Sequence, residues 1–447
     1  MGAGVQVISR ELIKPSSETP PHLRKLKLSY LDQSLPSFYV PLVFFYQADE
    51  LRGLTTCNPV QISQRLKQSL SKTLTSFYPL AGRIEDDFVV DCCDAGVEFI
   101  EARLNGQLMD AIQEPDVEDV KQYLPLDPTT DKVTTLVAVQ TTFFDCGGVA
   151  VGLCFSHKIA DFTSIMVFIN AWAATFRGDT EFSRFSFDLA SYFPSRDSRV
   201  SDFFRFLQSD EKQTAKRFVF DKEKLAALKQ IATSLSVKNP TRVEVVSVFF
   251  WKHFMEVAKS RNPEEKRTFA AFQAVNVRAR KIPPQLLENV SGNCFMVPFA
   301  ISESTECRDV EEFHDLTRKL RSAIRKINEE YIQKSQIGNS YLDDLFSLSP
   351  LLFKGELESC VFSSWCGFPV YKVDYGWGNP VWFCSSCWPL KNFTVLMNSR
   401  YGDGIEAWVS TSKENIEMLE TQVNLQLLCY IAYQFLNIFT HDITMFY

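Results

Sequence analysis

Several features that would announce a common function are missing from this 447-residue chain. Positive charge is not in excess: 47 basic residues face 54 acidic ones, a formal net charge of −7. No global field draws nucleic acid or an anionic membrane toward it, and a polyanionic small ligand would need a local basic patch. There is no Walker A loop and no GxGxxG, so nucleotide-phosphate hydrolysis and dinucleotide-dependent redox chemistry have no motif support. A GxSxG elbow is also absent, and Cys154, inside an apolar run, reads as core rather than as a nucleophile. The 12 Cys include a single CxxC, Cys384 and Cys387, with no second pair or nearby His, which makes a poor zinc site; no metal is expected. Scattered cysteines such as Cys154, Cys360 and Cys429, in a chain too large to need disulfide staples, point to free thiols in a reducing compartment. The longest apolar stretches, 38–46 and 425–439, are too short or too polar for the roughly 20 residues that span a bilayer. Val5, Val7 and Ile8 are interrupted by polar residues, so no signal peptide is visible, and Gln6 stands where a myristoylation signal after Gly2 needs Ser or Thr. The expectation is a soluble cytoplasmic protein.

What is present is ordinary in proportion, with 45% hydrophobic and 23% charged residues, except for 38 Phe. That Phe content fits thick apolar packing or an apolar pocket. The length favours two domains. Residues 38–46 read as a buried strand, and Ile62, Leu66, Leu70, Leu74 and Phe77 as an amphipathic helix ended by Pro79. Residues 133–144 and 149–155 read as a hairpin across Asp145, Cys146, Gly147 and Gly148. Asp161 and Thr163 are candidate caps of a helix from about 162 to 176 that Gly178 closes. Periodicity fades over 188–215, which is taken as a crossover between an N-terminal domain, 1–187, and a C-terminal domain, 216–447. Beyond it, 217–220 and 269–275 read as strands, 222–234 and 241–258 as helices, 309–333 as one long amphipathic helix, and 393–398 with 405–410 as a hairpin. Helices and hairpins mix in both halves, so the fold class is α/β or α+β.

The stretch VGLCFSHKIADFTS, 151–164, carries the clearest chemistry. An apolar strand stops at His157, Asp161 follows four residues on, and a helix begins, which places the imidazole in a strand-to-helix loop near the positive end of a helix dipole. An imidazole with an ordinary pKa of about 6.5 can take a proton at neutral pH and return it later in the cycle. As a general base it would supply about 10² to 10⁴ of rate. With five His in the chain the spacing alone is a weak signal, and a structural His stands beside the catalytic one as a reading.

Two motifs extend the argument. HKIADF resembles the HXXXD signature of the plant BAHD acyl-CoA-dependent acyltransferases, and VDYGWGNP, 373–380, resembles that family's DFGWG signature, in the expected order and about two hundred residues apart. LTSFYPLAGRI, QAVNVRAR at 273–280, SGN at 291–293, FSSWC at 362–366 and GDGIEAWV at 402–409 agree with it, so the resemblance covers essentially the whole chain. PSSETPPHLRKLKLSYLDQ and SHKIAD are most similar to the vinorine-synthase-like branch, whose members mostly acetylate alkaloid and other specialised-metabolite hydroxyls. Tyr375 departs from the family's usual Phe and adds a hydroxyl that needs a partner if buried.

The resemblance implies an α/β fold of two chloramphenicol-acetyltransferase-like domains, each a mixed sheet flanked by helices, with a substrate channel at their interface. His157 would deprotonate the acceptor hydroxyl for direct attack on the thioester, and Asp161 would pair with Arg278 and hold the loop. Gly376, Trp377 and Gly378 would be architectural, shaping the CoA side. Asp374 is read with them, and is kept beside His157 as a candidate catalytic carboxylate. CoA would meet hydroxyl and amide donors at Thr241, Asn276, Asn293, Ser363 and Ser364, together with Arg278 and other local cations. No bound cofactor is expected, with acyl-CoA, acetyl-CoA above all, as co-substrate; the partners are a small-molecule acceptor and acyl-CoA, and the chain a monomer. N-acylation, malonyl transfer and a catalytically degenerate metabolite-binding member stand as alternatives. A carrier-dependent condensation domain, with its HHXXXDG, is disfavoured by Ser156 and Phe162.

Overall fold

The computed structural model describes residues 4–47, 58–113, 115, 117–130, 135–179, 185–196, 200–209, 211–264, 267–280, 288–303 and 309–423. The apolar stretch 425–439, Cys429 and Gly2 lie outside the described residues.

In chain order the strands of the two large sheets are β1 (Gln6–Ile13), β2 (Tyr39–Tyr46), β3 (Val97–Leu104), β4 (Val137–Phe144), β5 (Val149–Ser156) and β6 (Thr214–Phe220). They continue with β7 (Thr268–Gln273), β8 (Phe299–Glu303), β9 (Leu357–Ser364), β10 (Trp382–Cys384), β11 (Phe393–Asn398) and β12 (Ile405–Thr411). The first sheet runs β1-β3-β4-β5-β2-β10 and the second β8-β7-β9-β11-β12-β6, six strands each. Both mix parallel and antiparallel pairs: β3 is parallel to β4, and β7 and β11 are parallel to β9. The helices that matter here are α1 (Tyr30–Gln33), α2 (Pro59–Ser76), α3 (Phe162–Arg177), α4 (Arg242–Arg261) and α5 (Asp309–Lys326).

β5 is buried along its whole length because it lies between β4 and β2 and is covered by α3. Its apolar run, VAVGLCFS, lacks polar alternation for that reason. The ladder continues one residue past the strand, where the His157 N–H donates to Phe38 O (2.9 Å). The backbone that carries the imidazole is therefore pinned to the sheet edge. α3 starts at the cap Asp161 and stops at Gly178, which is left-handed. Trp172 locks it onto α2 by donating its indole N–H to Ser69 Oγ (3.0 Å) and Leu66 O (3.2 Å). α4 and α5 cover the second sheet in the same manner, and Arg321 on α5 donates to Glu244 on α4 at 2.6 and 2.8 Å.

The linear division at 188–215 does not describe every element. β10 comes from the C-terminal half, yet it pairs with β2 through Trp382 and Phe45, Phe383 and Phe44, and Cys384 and Val43. The chain from about 370 to 384 thus belongs to the first sheet. Residues 188–215 are also more than a crossover: they form short helices at Leu189–Tyr192 and Val200–Arg205, and Phe203, Phe204 and Leu207 are buried. The expected single helix over 309–333 is two, because Asn328 interrupts it and caps Glu329–Ile337 by accepting the Tyr331 N–H (2.9 Å). The turn between β11 and β12 is longer than a Gly-Asp-Gly corner, running from Ser399 to Gly404.

Candidate active site

His157 is half-buried among aromatic rings. Phe38 meets it edge-on with centroids 5.2 Å apart, Phe295 lies at 5.9 Å and Trp388 at 6.5 Å. Trp388 is itself fixed, its indole N–H donating to Ser385 Oγ (3.2 Å). Burial in this setting lowers the His157 pKa below its ordinary value, against the opposing pull of the Asp161 charge and a hydrogen bond to Asn293. The imidazole is therefore neutral at pH 7. Nδ1 lies 3.0 Å from Asn293 Oδ1, which leaves Nε2 as the nitrogen for a reacting hydroxyl.

Asp161 faces away from that chemistry. Arg278 donates to it through Nη1 (2.5 Å) and Nη2 (3.2 Å), and both side chains are buried. Ser164 donates its N–H and its hydroxyl to Asp161 Oδ1 (2.9 Å each), and the Cys294 N–H reaches Oδ2 (3.1 Å). Arg278 also binds the carbonyls of Val290 and Gly292. The carboxylate thus caps α3 and ties the HKIAD loop to the SGN segment at the same time. Gly292 takes a φ of 122° there, a conformation open to glycine. Burial works against the charge on Arg278 while Asp161 holds it on, and its pKa is raised.

A cavity of about 960 Å³, open solvent at its mouth included, lies beside His157. Elements of both sheets line it, and their polarity differs. Thr163, Asn276, Ser363 and Ser364 supply hydroxyl and amide groups, and Asn276 donates to Thr163 Oγ1 (3.3 Å). Leu35, Pro36, Phe204, Leu207 and Leu390 supply apolar surface. Phe162, stacked on Trp365 at 3.9 Å with planes 3° apart, forms a rigid aromatic wall. Among the described residues the lining includes no Lys or Arg.

The expected site residues divide accordingly. His157, Asp161, Asn276, Ser363 and Ser364 share the cavity lining. Arg278 is not among the lining residues and is buried in its pair with Asp161. Asn293 is fully buried and spends its side chain on His157 and Asp32, so it has no group free for CoA. Thr241 does not line the cavity; it caps α4, its hydroxyl accepting the Glu244 N–H (3.1 Å).

Asp374 is not brought to His157 either. Its carboxylate accepts the N–H groups of Gly376 (2.6 Å) and Gly378 (2.9 Å), closing its own loop. Both glycines have positive φ, 95° and 105°, which that closure demands. Arg177, the last residue of α3, donates to the Asp374 carbonyl. Tyr375 packs against Trp172 and Phe176, and Trp377 against Phe176 and Tyr46. The DYGWG loop therefore grips the far end of α3, about 1.5 Å per residue away from the end that follows His157. It packs against the first sheet through Tyr46 and does not line the cavity beside His157.

Sequence reasoning missed Asp32 and Ser164. Ser164 was within reach as the third residue after the cap Asp161. Asp32 lies 261 positions from the residue it serves, and no local pattern could have found it.

The geometry places a half-buried imidazole, its Nδ1 occupied, at a cavity lined by hydroxyl, amide and apolar groups, an arrangement able to support acyl transfer. A profile of the Transferase family matches residues 3–426. The chain belongs to this family, the plant BAHD acyl-CoA-dependent acyltransferases, and is an O-acyltransferase. It is 41% identical over 432 residues to stemmadenine O-acetyltransferase of Catharanthus roseus, covering 94% of this chain and 97% of that one. Vinorine synthase of Rauvolfia serpentina is 40% identical over 434 residues, covering 95% and 98%. The crystal structure of vinorine synthase superposes with a TM-score of 0.80 at 39% identity, covering 93% of this chain and 97% of that one.

Proposed function

We propose that this chain transfers an acetyl group from acetyl-CoA to a hydroxyl of an apolar plant metabolite, an alkaloid in the first place, with His157 as general base. The observation that carries the reading is that His157 lines one cavity together with hydroxyl and amide groups and with apolar side chains. The acceptor would lie against Phe204, Leu207 and Leu390, and the donor against Asn276, Ser363 and Ser364.

His157 Nε2 takes the hydroxyl proton as the oxygen attacks the thioester carbonyl. A C–O bond forms, the tetrahedral intermediate collapses with loss of the C–S bond, and the imidazolium returns its proton to the departing sulfur. No acyl-enzyme is needed, and Cys154 and Cys294 are buried thiols whose pKa burial raises, Cys294 to about 12. Acetyl is favoured over malonyl because a malonyl carboxylate would meet no Lys or Arg in the described lining. The acceptor class is supported by relatives such as stemmadenine O-acetyltransferase and vinorine synthase.

We read the protein as a cytoplasmic monomer acting on free small molecules; among the described residues no helix is long and apolar enough to cross a membrane. Turnover of acetyl-CoA against a panel of indole alkaloid alcohols, followed by CoA release and product mass, tests the assignment. An acetyl ester with at least one of them supports it; an acetamide as the sole product, or ester formation only when malonyl-CoA replaces acetyl-CoA, sinks it.

A further inference from the structure

We infer that Asp32 is a positioning residue for the transfer: through the side-chain amide of Asn293 it holds His157 in the tautomer that carries its proton on Nδ1 and presents Nε2 to the acceptor. The inference rests on the general-base reading of His157.

Asp32 sits in α1, a helix of four residues, and its carboxylate is buried. One oxygen serves the helix itself: Oδ2 accepts the Ser29 N–H (3.0 Å) and the Ser29 hydroxyl (2.6 Å). The other leaves the neighbourhood. Oδ1 accepts the backbone N–H of Asn293 (2.8 Å) and its side-chain Nδ2–H (2.9 Å), 261 positions away. Four donors surround the two oxygens, so the group acts there purely as an acceptor.

The Asn293 amide is thereby fixed. Its second Nδ2 hydrogen goes to the carbonyl of His157 (2.8 Å). Flipping the amide would set Oδ1 against two acceptors, the Asp32 carboxylate and that carbonyl, and would cost each of them a hydrogen bond in a buried setting. Oδ1 must therefore face His157 Nδ1, 3.0 Å away. A carbonyl oxygen only accepts, so Nδ1 carries the hydrogen and Nε2 keeps its lone pair.

α1 is held in place from several sides. Tyr30 donates its hydroxyl to Ser335 O (3.1 Å), the Arg196 guanidinium lies 4.1 Å over the Tyr30 ring, and the Arg196 N–H donates to Gln33 Oε1 (3.0 Å). Lys158 donates to Gln33 O (3.1 Å). The charged groups around His157 are Asp161 with its partner Arg278, and Asp32 with Lys158 buried beside it; Phe38, Phe295 and Trp388 complete the surroundings without charge.

The test uses the full-length protein carrying Asp32→Leu, Asn293→Ala, both together, or Asp32→Asn, assayed with acetyl-CoA and an acceptor it turns over. Histidine ¹⁵N spectra are recorded alongside, with the His157 signals assigned by their loss in His157→Ala. Asp32→Leu and Asn293→Ala should each lower kcat about 10²-fold while leaving KM for acetyl-CoA within about twofold. The double variant should lose no more than Asn293→Ala alone, because both act through one path. Asp32→Asn, whose Oδ1 can still accept from Asn293, should fall between wild type and Asp32→Leu. The His157 signals should change from a single Nδ1-protonated form to a mixture. The acid limb of the rate profile should move to lower pH in Asn293→Ala, since the acceptor that stabilises the imidazolium is gone.

A folded Asp32→Leu with wild-type kcat, losses that multiply in the double variant, or a lost rate with an unchanged His157 tautomer would each overturn the inference. If Asp32→Leu does not fold, Asn293→Ala decides alone, since it removes no charge and leaves Asp32 its Ser29 partner. Full activity in His157→Ala is the separate result that would remove the underlying reading.

Discussion

Arg278 donates to both carboxylate oxygens of Asp161, at 2.5 and 3.2 Å, and the same carboxylate caps the helix that follows His157. Base and carboxylate of the HKIAD loop therefore have different work. Asp161→Ala would remove a cap and leave a buried guanidinium without its counter-charge, a loss of about 3–5 kcal/mol in denaturant unfolding. Activity should fall with it. Asp161→Asn keeps the cap and loses the charge, so it belongs between the two; a stable, fully active Asp161→Ala protein contradicts this role.

Asp374 and the loop it closes offer a contrasting case. Its carboxylate satisfies two backbone N–H groups of its own loop, and its carbonyl accepts from Arg177. Asp374→Ala and Arg177→Ala should each lower the unfolding midpoint and the rate together, by about 1–3 kcal/mol of stability, with KM for acetyl-CoA little changed. An Asp374→Ala protein of wild-type stability that has lost its rate would restore a direct catalytic part for this carboxylate.

Tyr375 is buried, and its hydroxyl has no hydrogen-bond partner among the described residues. Tyr375→Phe keeps the ring against Trp172 and Phe176 and removes the stranded group. It should be neutral or stabilising, by up to about 1–3 kcal/mol, at unchanged kcat. A marked loss in the melting temperature would show that the hydroxyl has a partner.

The pH dependence follows from two imidazoles, the half-buried His157 and the buried His253. Burial lowers the pKa of His157, and of His253 on α4, below the ordinary value. As the pH falls below about 6.5 the unfolded chain takes up protons that the folded one refuses, so stability drops toward acid. Unfolding midpoints measured between pH 7.5 and 5 should decrease, and His253→Phe should flatten part of that slope. The catalytic rate should hold to lower pH than an ordinary imidazole allows, because His157 stays neutral. A rate that halves at pH 6.5 or above through one ionisation contradicts this.

Much of the site was legible in the chain, and the reasons are local. The strand ending at His157, the cap Asp161 and the closing Gly178 sit next to one another, so spacing and capping chemistry expose them. β1 was not recognisable because it is an edge strand exposed on both faces and has no alternation to read. β10 could not be placed on the first sheet, since three residues hold no information about which sheet they join. Asn293 looked like a CoA donor because an exposed and a buried amide read alike in sequence; only its burial, with Asp32 beneath it, reassigns it. The segment 188–215 looked like a linker because its apolar residues Phe203, Phe204 and Leu207 follow no single period, yet all three pack into the core, and Phe204 and Leu207 reach the cavity.

The two linings of the cavity should separate in kinetics. Ser363→Val and Asn276→Ala should raise KM for acetyl-CoA several-fold and leave acceptor KM unchanged, while Phe204→Ser and Leu207→Ser should do the reverse. About 1–3 kcal/mol of apolar contact is removed in the second pair, enough for a tenfold or larger effect. If both pairs change the same constant, the donor and acceptor sides have been assigned wrongly.

The most direct test of direct transfer with His157 as base joins two readings on one protein. Wild type and His157→Ala are each incubated with acetyl-CoA, with and without an acceptor, and followed by CoA release and intact-protein mass. The account predicts that His157→Ala loses about 10² to 10⁴ of rate, remains folded and still binds acetyl-CoA, and that neither protein gains an acetyl group when acceptor is withheld. An acetylated wild-type enzyme formed from acetyl-CoA alone and discharged on adding acceptor, or equal turnover by His157→Ala, would contradict it.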